Sequence, residues 1–320
     1  MSSFFGQFIK LSLFGQSHGP AIGITIDGLP AGLKPDMEAI RGEMARRAPG
    51  NSPLSTSRVE TDEVEILSGM KDGVLTGQPL CAMIRNTDCR AEEDPKEMVF
   101  PRPGHADYTG HVRYHGFEDF RGGGHFSGRL TAPIVFAGAI CKQFLSGEGI
   151  AIRSEMALEE AAILAAKADQ DSVGGEVRCV ISGLPAGLGA PFFDSVESVL
   201  AHLLFSIPGV KGVHFGDSVH CLGSEYNDAF TVKEGEIRTE TNHAGGIQGG
   251  ITNGEEVFFT CAIRPTASIG KAQKTVSLKT FEEAPICVCG RHDPCILPRA
   301  LPVVEAMAAI GIAELWKERQ

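Results

Sequence analysis

Two histidines stand where an imidazole could move a proton. His18 lies in Gly15-Gln16-Ser17-His18-Gly19, after the run Phe8 to Leu13, which reads as a strand. Glycines on both sides let backbone amides approach a ligand. Loops at strand ends are common seats for reactive groups, and Ser17 is the neighbouring hydroxyl. His105 lies in Arg102-Pro103-Gly104-His105-Ala106-Asp107-Tyr108, where Pro-Gly forces a turn and Asp107 is near enough to orient the ring. Imidazole titrates near neutral pH, so both residues suit acid–base work.

The other notable segments pair glycines with cations, which is anion chemistry. Arg121-Gly122-Gly123-Gly124-His125-Phe126-Ser127-Gly128-Arg129 runs directly into a helix, a plausible anion seat. Asn242 to Gly254 is a second glycine-rich stretch. Arg264-Pro265-Thr266-Ala267-Ser268 offers a guanidinium and two hydroxyls suited to phosphate. Gly290-Arg291-His292-Asp293-Pro294-Cys295 sets a cation, an imidazole and a carboxylate side by side. Arginines also gather at Arg41, Arg46, Arg47 and Arg58, at Arg102, Arg113, Arg121 and Arg129, and at Arg264, Arg291 and Arg299. Cys287, Cys289, His292 and Cys295 do not have the spacing of two Cys-x-x-Cys pairs, so no metal site is expected. No Walker-type loop ends in Gly-Lys-Ser/Thr, which argues against a P-loop nucleotidase.

Elements must hold these segments in place. Ile22, Ile24 and Ile26 alternate with smaller or polar residues, as in a half-buried strand, and run into Gly28-Leu29-Pro30-Ala31-Gly32-Leu33. The same six letters recur at Gly183 to Leu188, again after an alternating run, Val177, Cys179 and Ile181. The duplication implies two related halves, about 1–153 and 171–320, around one core. Asp36 can cap a helix with Met37, Ile40 and Met44 on one face, whose far end delivers Arg46 and Arg47. Thr131 to Leu145 reads as a buried helix, Ser154 to Ala168 as a surface helix, and Ala300 to Trp316 as a terminal helix interrupted by Pro302. Asp194 can cap a helix that Pro208 helps to stop. The interleaving is that of an α/β or α+β fold.

A chain of 320 residues with 42% hydrophobic content can bury a large core. A net charge of −11 argues against general nucleic-acid binding. Nine cysteines without a secretory signal fit a reduced cytoplasm, and no segment is expected to span a membrane. Glycine is abundant at 39 residues, which favours many turns over a simple helical bundle.

Taken in order, these segments resemble the chorismate synthase family over nearly the whole chain. Ser206-Ile207 and Val210-Lys211-Gly212-Val213 extend the match. The resemblance implies an α+β fold with a helical layer sandwiched between antiparallel β-sheets, an internal pseudo-repeat and a homotetramer. It implies a lyase that loses phosphate from 5-enolpyruvylshikimate 3-phosphate by 1,4-elimination, giving chorismate, with reduced FMN and no net oxidation. The flavin would be reduced by an external source, and no NAD(P) fingerprint is present. The small-molecule substrate carries two carboxylates and a phosphate, for which Arg41, Arg47, Arg102 and Arg129 are the candidates. His18 is expected near the departing phosphate, His105 near the flavin ring, and Asp293 where the ring hydrogen is accepted; Ser17 and Ser127 complete the catalytic set. FMN contacts carry over to His125, Phe126, Ser127, Pro208, Gly209, Gly249, Arg264, Pro265, Thr266, Ala267, Ser268 and Arg291.

The chain also departs from the family. The common Arg-Ser-Ser-Ala-Arg-Glu reads His125-Phe126-Ser127-Gly128-Arg129-Leu130, and basic positions read Ala48 and Pro53. The stretch between Ile152 and Val173 is short. These differences bear on FMN affinity, on rate and on a reductant site at Pro53. The alternative is a flavin- or anion-binding homologue that has lost the elimination.

Overall fold

The computed structural model describes residues 3–50, 62–87, 98–288 and 292–319. It is an α+β structure. Strands β1 (Phe4–Phe5), β2 (Lys10–Gly15), β3 (Ala21–Asp27), β4 (Val64–Ser68) and β5 (Leu80–Arg85) form an antiparallel sheet in the order β1-β2-β3-β5-β4. Helices α1 (Met37–Arg47), α2 (Asp107–Tyr114) and α3 (Thr131–Gly147) belong to the same half of the chain. The second half holds β6 (Ala151–Met156), α4 (Glu160–Ala168), β7 (Gly175–Ser182), α5 (Val196–Phe205), β8 (Val210–Phe215), β9 (Val257–Ile263) and α6 (Leu297–Arg319). Its main sheet is antiparallel in the order β8-β9-β7-β6. The strand series β2-β3-β5-β4 and β6-β7-β9-β8 therefore follow one order.

Ile22, Ile24 and Ile26 are each at most 1% exposed, so the alternating run faces the core as its pattern requires. Both copies of the six-residue segment leave their strands through a glycine with positive φ, +97° at Gly28 and +82° at Gly183. A Cβ would lie 1.8 Å from the Phe8 carbonyl oxygen at Gly28 and 2.2 Å from the Gly149 oxygen at Gly183. Glycine is required at both places for the same reason.

Helix α3 packs on α6, and between them a Cβ on Gly138 would sit 2.2 Å from that of Ala306. Helix α3 also reaches β3 and β5, while α6 reaches β6 and β7. Gly128–Gly147, contrary to expectation, is long and apolar enough to cross a membrane, but 72% of its apolar window is buried inside the protein. It is a core helix.

Several boundaries differ from the sequence expectation. The first long strand starts at Lys10 rather than Phe8, because the Gln7, Phe8 and Ile9 amides all donate to the buried Glu314 carboxylate of α6. Ser154 belongs to β6, paired to β7, and the surface helix begins only at Glu160. Sheet pairing there overrides helix propensity. Ser195, not Asp194, caps α5, its Oγ accepting from the Ser198 amide at 3.1 Å. Asp36 does cap α1, accepting from Glu38 and Ala39. Helix α6 starts at Leu297 and runs on through Pro302.

Arg46 does not join Arg47 at the loop beyond α1. It forks onto Glu305 of α6 at 2.8 and 2.9 Å, and Lys142 of α3 reaches the same carboxylate at 2.7 Å. Burial would push the Glu305 carboxyl up, but the hydrogen bonds from Arg46, Lys142 and Ser154 prevail and hold it at about 2.

Candidate active site

The cavity that gathers the marked residues measures about 320 Å³, within the usual size of a small-molecule site. It lies where the loop after α1, the turns around Gly104 and Gly122, the Pro208-Gly209 and Arg264–Ser268 segments, and the start of α6 converge.

The three glycines between Arg121 and His125 all take positive φ, +57°, +89° and +55°. They form a backbone wall with an imidazole against each of two successive residues. A Cβ on Gly122 would lie 2.4 Å from His18 Nε2, and one on Gly123 would lie 3.3 Å from His105 Nε2. The wall is tied to the His18 loop, since the Ser17 amide donates to Gly124 O at 3.1 Å. Ser17 itself is fully buried. His18 and His105, 87 positions apart by their numbers, thus meet successive glycines of one turn, and of the two His105 lines the cavity.

His105 is held firmly. Its Nδ1 lies 2.5 Å from Asp107 Oδ1, and Arg102 forks onto Asp107 through Nε at 2.8 Å and Nη2 at 2.9 Å. Burial alone would raise the Asp107 carboxyl, but hydrogen bonds from Arg102 and His105 outweigh it and keep it well below the usual carboxylate range. Asp107 stays ionised and accepts a hydrogen bond from Nδ1–H, which leaves the lone pair on Nε2. Arg102 Nη1 also donates to Ser268 Oγ at 3.3 Å, joining this turn to the Arg264–Ser268 segment.

Arg47 and Arg129 enter together. Arg47 is 1% exposed, its Nη2 is 2.6 Å from Asp62 Oδ2, and Arg129 Nη1 bonds the other oxygen of the same carboxylate. Burial lowers the Arg47 guanidinium to about 10, the Arg299 and Arg129 charges add to this, and Asp62 opposes it. It remains a cation at neutral pH. Arg129 Nε donates to Asn86 Oδ1 at 3.1 Å, and Asn86 Nδ2 grips the carbonyls of Gln16 and Gly19, so Arg129 is braced on the His18 loop. Asp293 accepts from Arg299 Nη1 at 2.6 Å, and Arg299 Nε holds the Arg47 carbonyl at 2.9 Å.

Phe126, Ser127, Pro208, Gly209, Arg264, Pro265, Thr266, Ala267 and Ser268 also line the cavity. Ser127 Oγ accepts from the Arg129 amide, and the Phe126 ring covers Gly110. The buried Thr266 hydroxyl and Arg47 Nε lack a partner among the described residues. Arg264 donates to its own neighbour's carbonyl, Pro265 O, at 3.1 Å. Orphaned donors and a lightly held cation beside two other arginines suit an anionic group.

Five of the marked residues do not line this cavity: Ser17 and His18, whose loop meets the glycine wall, and the three that follow. Arg41 is on the exposed face of α1. His125 turns away, bonding Ser3 Oγ at 2.8 Å and Gly15 O at 2.9 Å beside a second cavity. Gly249 sits in the hairpin of Ile247–Gln248 with Ile251–Thr252, near the start of α5. Arg291, Cys289 and Pro53 fall outside the described residues. Cys295 is buried in the core, whereas Cys287 is exposed and bonds Gly270 O. Sequence reasoning missed Asp62 and Asn86 as organisers of the site. Neither stands in a glycine motif, and only folding brings them to the arginines.

The same assignment comes from known proteins. The family model described as chorismate synthase matches residues 9–158 and 154–316. A chorismate synthase of Chitinophaga pinensis is 46% identical, with 97% of this chain and 95% of that protein aligned. One from Methanosarcina barkeri is 44% identical over 97% of this chain and 94% of its own length. A crystal structure of a chorismate synthase superposes with a TM-score of 0.76 at 25% identity, covering 98% of this chain and 93% of that one. With these matches over nearly its whole length, the chain belongs to the chorismate synthase family.

Proposed function

We propose that this chain is a lyase that converts 5-enolpyruvylshikimate 3-phosphate to chorismate and phosphate, with reduced FMN in the cavity described above. The observation that carries this reading is a glycine turn met by both His18 and His105, beside a cavity lined by His105, Arg47, Arg102, Arg129, Arg264 and Arg299. A substrate with two carboxylates and a phosphate needs several fixed cations, and guanidinium forks suit both groups.

The Thr266 hydroxyl, without a partner among the described residues, and the lightly held Arg264 fit the anionic end of a flavin mononucleotide. Phe126, Ser127, Pro208, Gly209, Pro265, Ala267 and Ser268 would surround it, with Arg291, and with Gly249 if a neighbouring subunit supplies it. When bound and reduced, the flavin supplies electron density to the substrate as phosphate departs and recovers it as the ring hydrogen leaves. The remaining work belongs to the side chains. His18 gives a proton to the departing phosphate. His105, its Nδ1 fixed by Asp107, keeps Nε2 available beside the flavin. Arg47 and Arg129 hold the phosphate in line, Arg102 holds a carboxylate, and Arg41 steers the substrate from the exposed helix face. Asp293, anchored by Arg299, holds the proton site, Ser127 lines the cavity, and Ser17, buried beside His18, supports the His18 loop.

In the same reading the helices form a layer between the two main sheets. The matching strand orders and the two equivalent glycine turns support an internal repeat of about 1–153 and 171–320. The assembly is a cytoplasmic homotetramer, reduced by an external source.

His125 favours a second reading, a homologue that binds an anion or flavin without eliminating phosphate, because its ring is engaged with Ser3 and Gly15 rather than with the cavity. One anaerobic assay decides between the two. Chorismate and phosphate should form with chemically reduced FMN and not with oxidised FMN alone. No product with reduced FMN, or full turnover without a reductant, would sink the first reading.

A further inference from the structure

Asp62 belongs to no motif and does not line the cavity. It stands just ahead of β4, behind the two arginines that do. Its side chain is 0% exposed and its backbone φ is +50°, a left-handed conformation that Asp and Asn tolerate better than other side chains. One carboxylate oxygen takes Arg47 from the end of α1, and the other takes Arg129 from the turn ahead of α3. Arg299 and Asp293 extend the cluster through the Arg47 carbonyl.

A carboxylate next to an anion site needs a reason, because it repels the ligand. Here the reason is geometric. Two buried guanidiniums brought to one place repel each other, and a single shared acceptor holds both at fixed angles. We propose that Asp62 is a positioning residue that clamps Arg47 and Arg129 in the orientation in which they grip the substrate phosphate. This rests on the activity proposed above.

The two physical effects of removing Asp62 have opposite signs, which makes the idea testable. If charge alone mattered, losing a negative group would tighten anion binding. If the clamp matters, losing it would weaken binding. Asp62→Asn removes the charge while keeping the shape and the tolerance for positive φ. The expected result is a KM for 5-enolpyruvylshikimate 3-phosphate raised about 10-fold or more, with kcat changed far less. The thermal stabilisation of the protein by inorganic phosphate should shrink in parallel. An unchanged or lowered KM in a folded Asp62→Asn overturns the proposal.

Should Asp62→Asn fail to fold, Asp62→Glu decides. It keeps the charge and shifts the carboxylate by one methylene. A raised KM with near wild-type kcat supports the clamp, and a wild-type KM overturns it. If the wild-type protein is stabilised by phosphate but makes no chorismate, the proposed activity falls and the phosphate readout alone judges Asp62. Loss of stabilisation in Asp62→Asn then supports the clamp, and retention overturns it.

Discussion

At the scale of single residues, chemistry depends on which atom of a side chain is already spoken for. Asp107 fixes His105 through Nδ1, and the glycine wall limits where His18 can move. His18→Ala and His105→Ala should each lower turnover by about 10–10⁴-fold, the scale of acid–base catalysis and somewhat below it, with melting temperatures close to wild type. Wild-type turnover in both variants would remove the two histidines from the mechanism. Asp293 poses a different question. Among the described residues it accepts from Arg299 at 2.6 Å, so the carboxylate also has a structural task. Asp293→Asn keeps the shape and a hydrogen-bond acceptor but cannot take a proton. Turnover should fall much more than KM changes, by about 10²-fold or more. Normal kcat in this variant would leave Asp293 a structural role, of which the tie to Arg299 is one part.

At the scale of elements, the glycine wall is the part least tolerant of change, and its members fail for different reasons. In Gly122→Ala the new methyl would meet the His18 ring, a side chain, and the backbone must hold φ at +57°. Folding should lose only about 1 kcal/mol, while displacement of His18 costs turnover by about 10²-fold. In Gly124→Ala the methyl would lie 1.9 Å from the Asp119 carbonyl oxygen, and backbone cannot swing aside as a ring can. That variant should lose stability first, read as a melting temperature well below that of Gly122→Ala. Equal melting temperatures in the two variants would contradict the wall as described.

At the scale of the whole molecule, Glu305 joins the first half of the chain to the second. It sits on α6, accepts from Arg46 of α1 and Lys142 of α3, and takes the amide and hydroxyl of Ser154 in β6. Glu305→Gln strands two cations, but both are partly exposed and can turn to water, so the cost should be about 2–3 kcal/mol. Denaturant titration checks this. The pH dependence has a definite sign. The folded carboxyl is held at about 2, below its ordinary value of 4.5. Its contribution is therefore complete above about 4.5 and is lost as pH falls towards 2. The stability gap between wild type and Glu305→Gln should narrow across that window. A gap independent of pH from 6 down to about 2 would show that the charge contributes nothing.

Much of this protein is legible in one dimension. The alternation at Ile22, Ile24 and Ile26, the cap at Asp36, the apolar run after Thr131 and the repeated glycine turn are local patterns, each set by backbone geometry within a few residues. The order of the glycine, arginine and histidine segments was enough to point to the family. What tertiary structure decided is which of these groups meet. Arg46 and Arg47 are neighbours in sequence, yet helix geometry turns one to Glu305 and the other to Asp62. His125 stands inside the glycine motif but faces away, whereas Asn86 and Arg299, outside every motif, brace the site. A long-range ion pair leaves no local trace, because its partners come from elements joined only by folding. For the same reason Glu314 could unseat Phe8 and Ile9 from the predicted strand from more than 300 positions away.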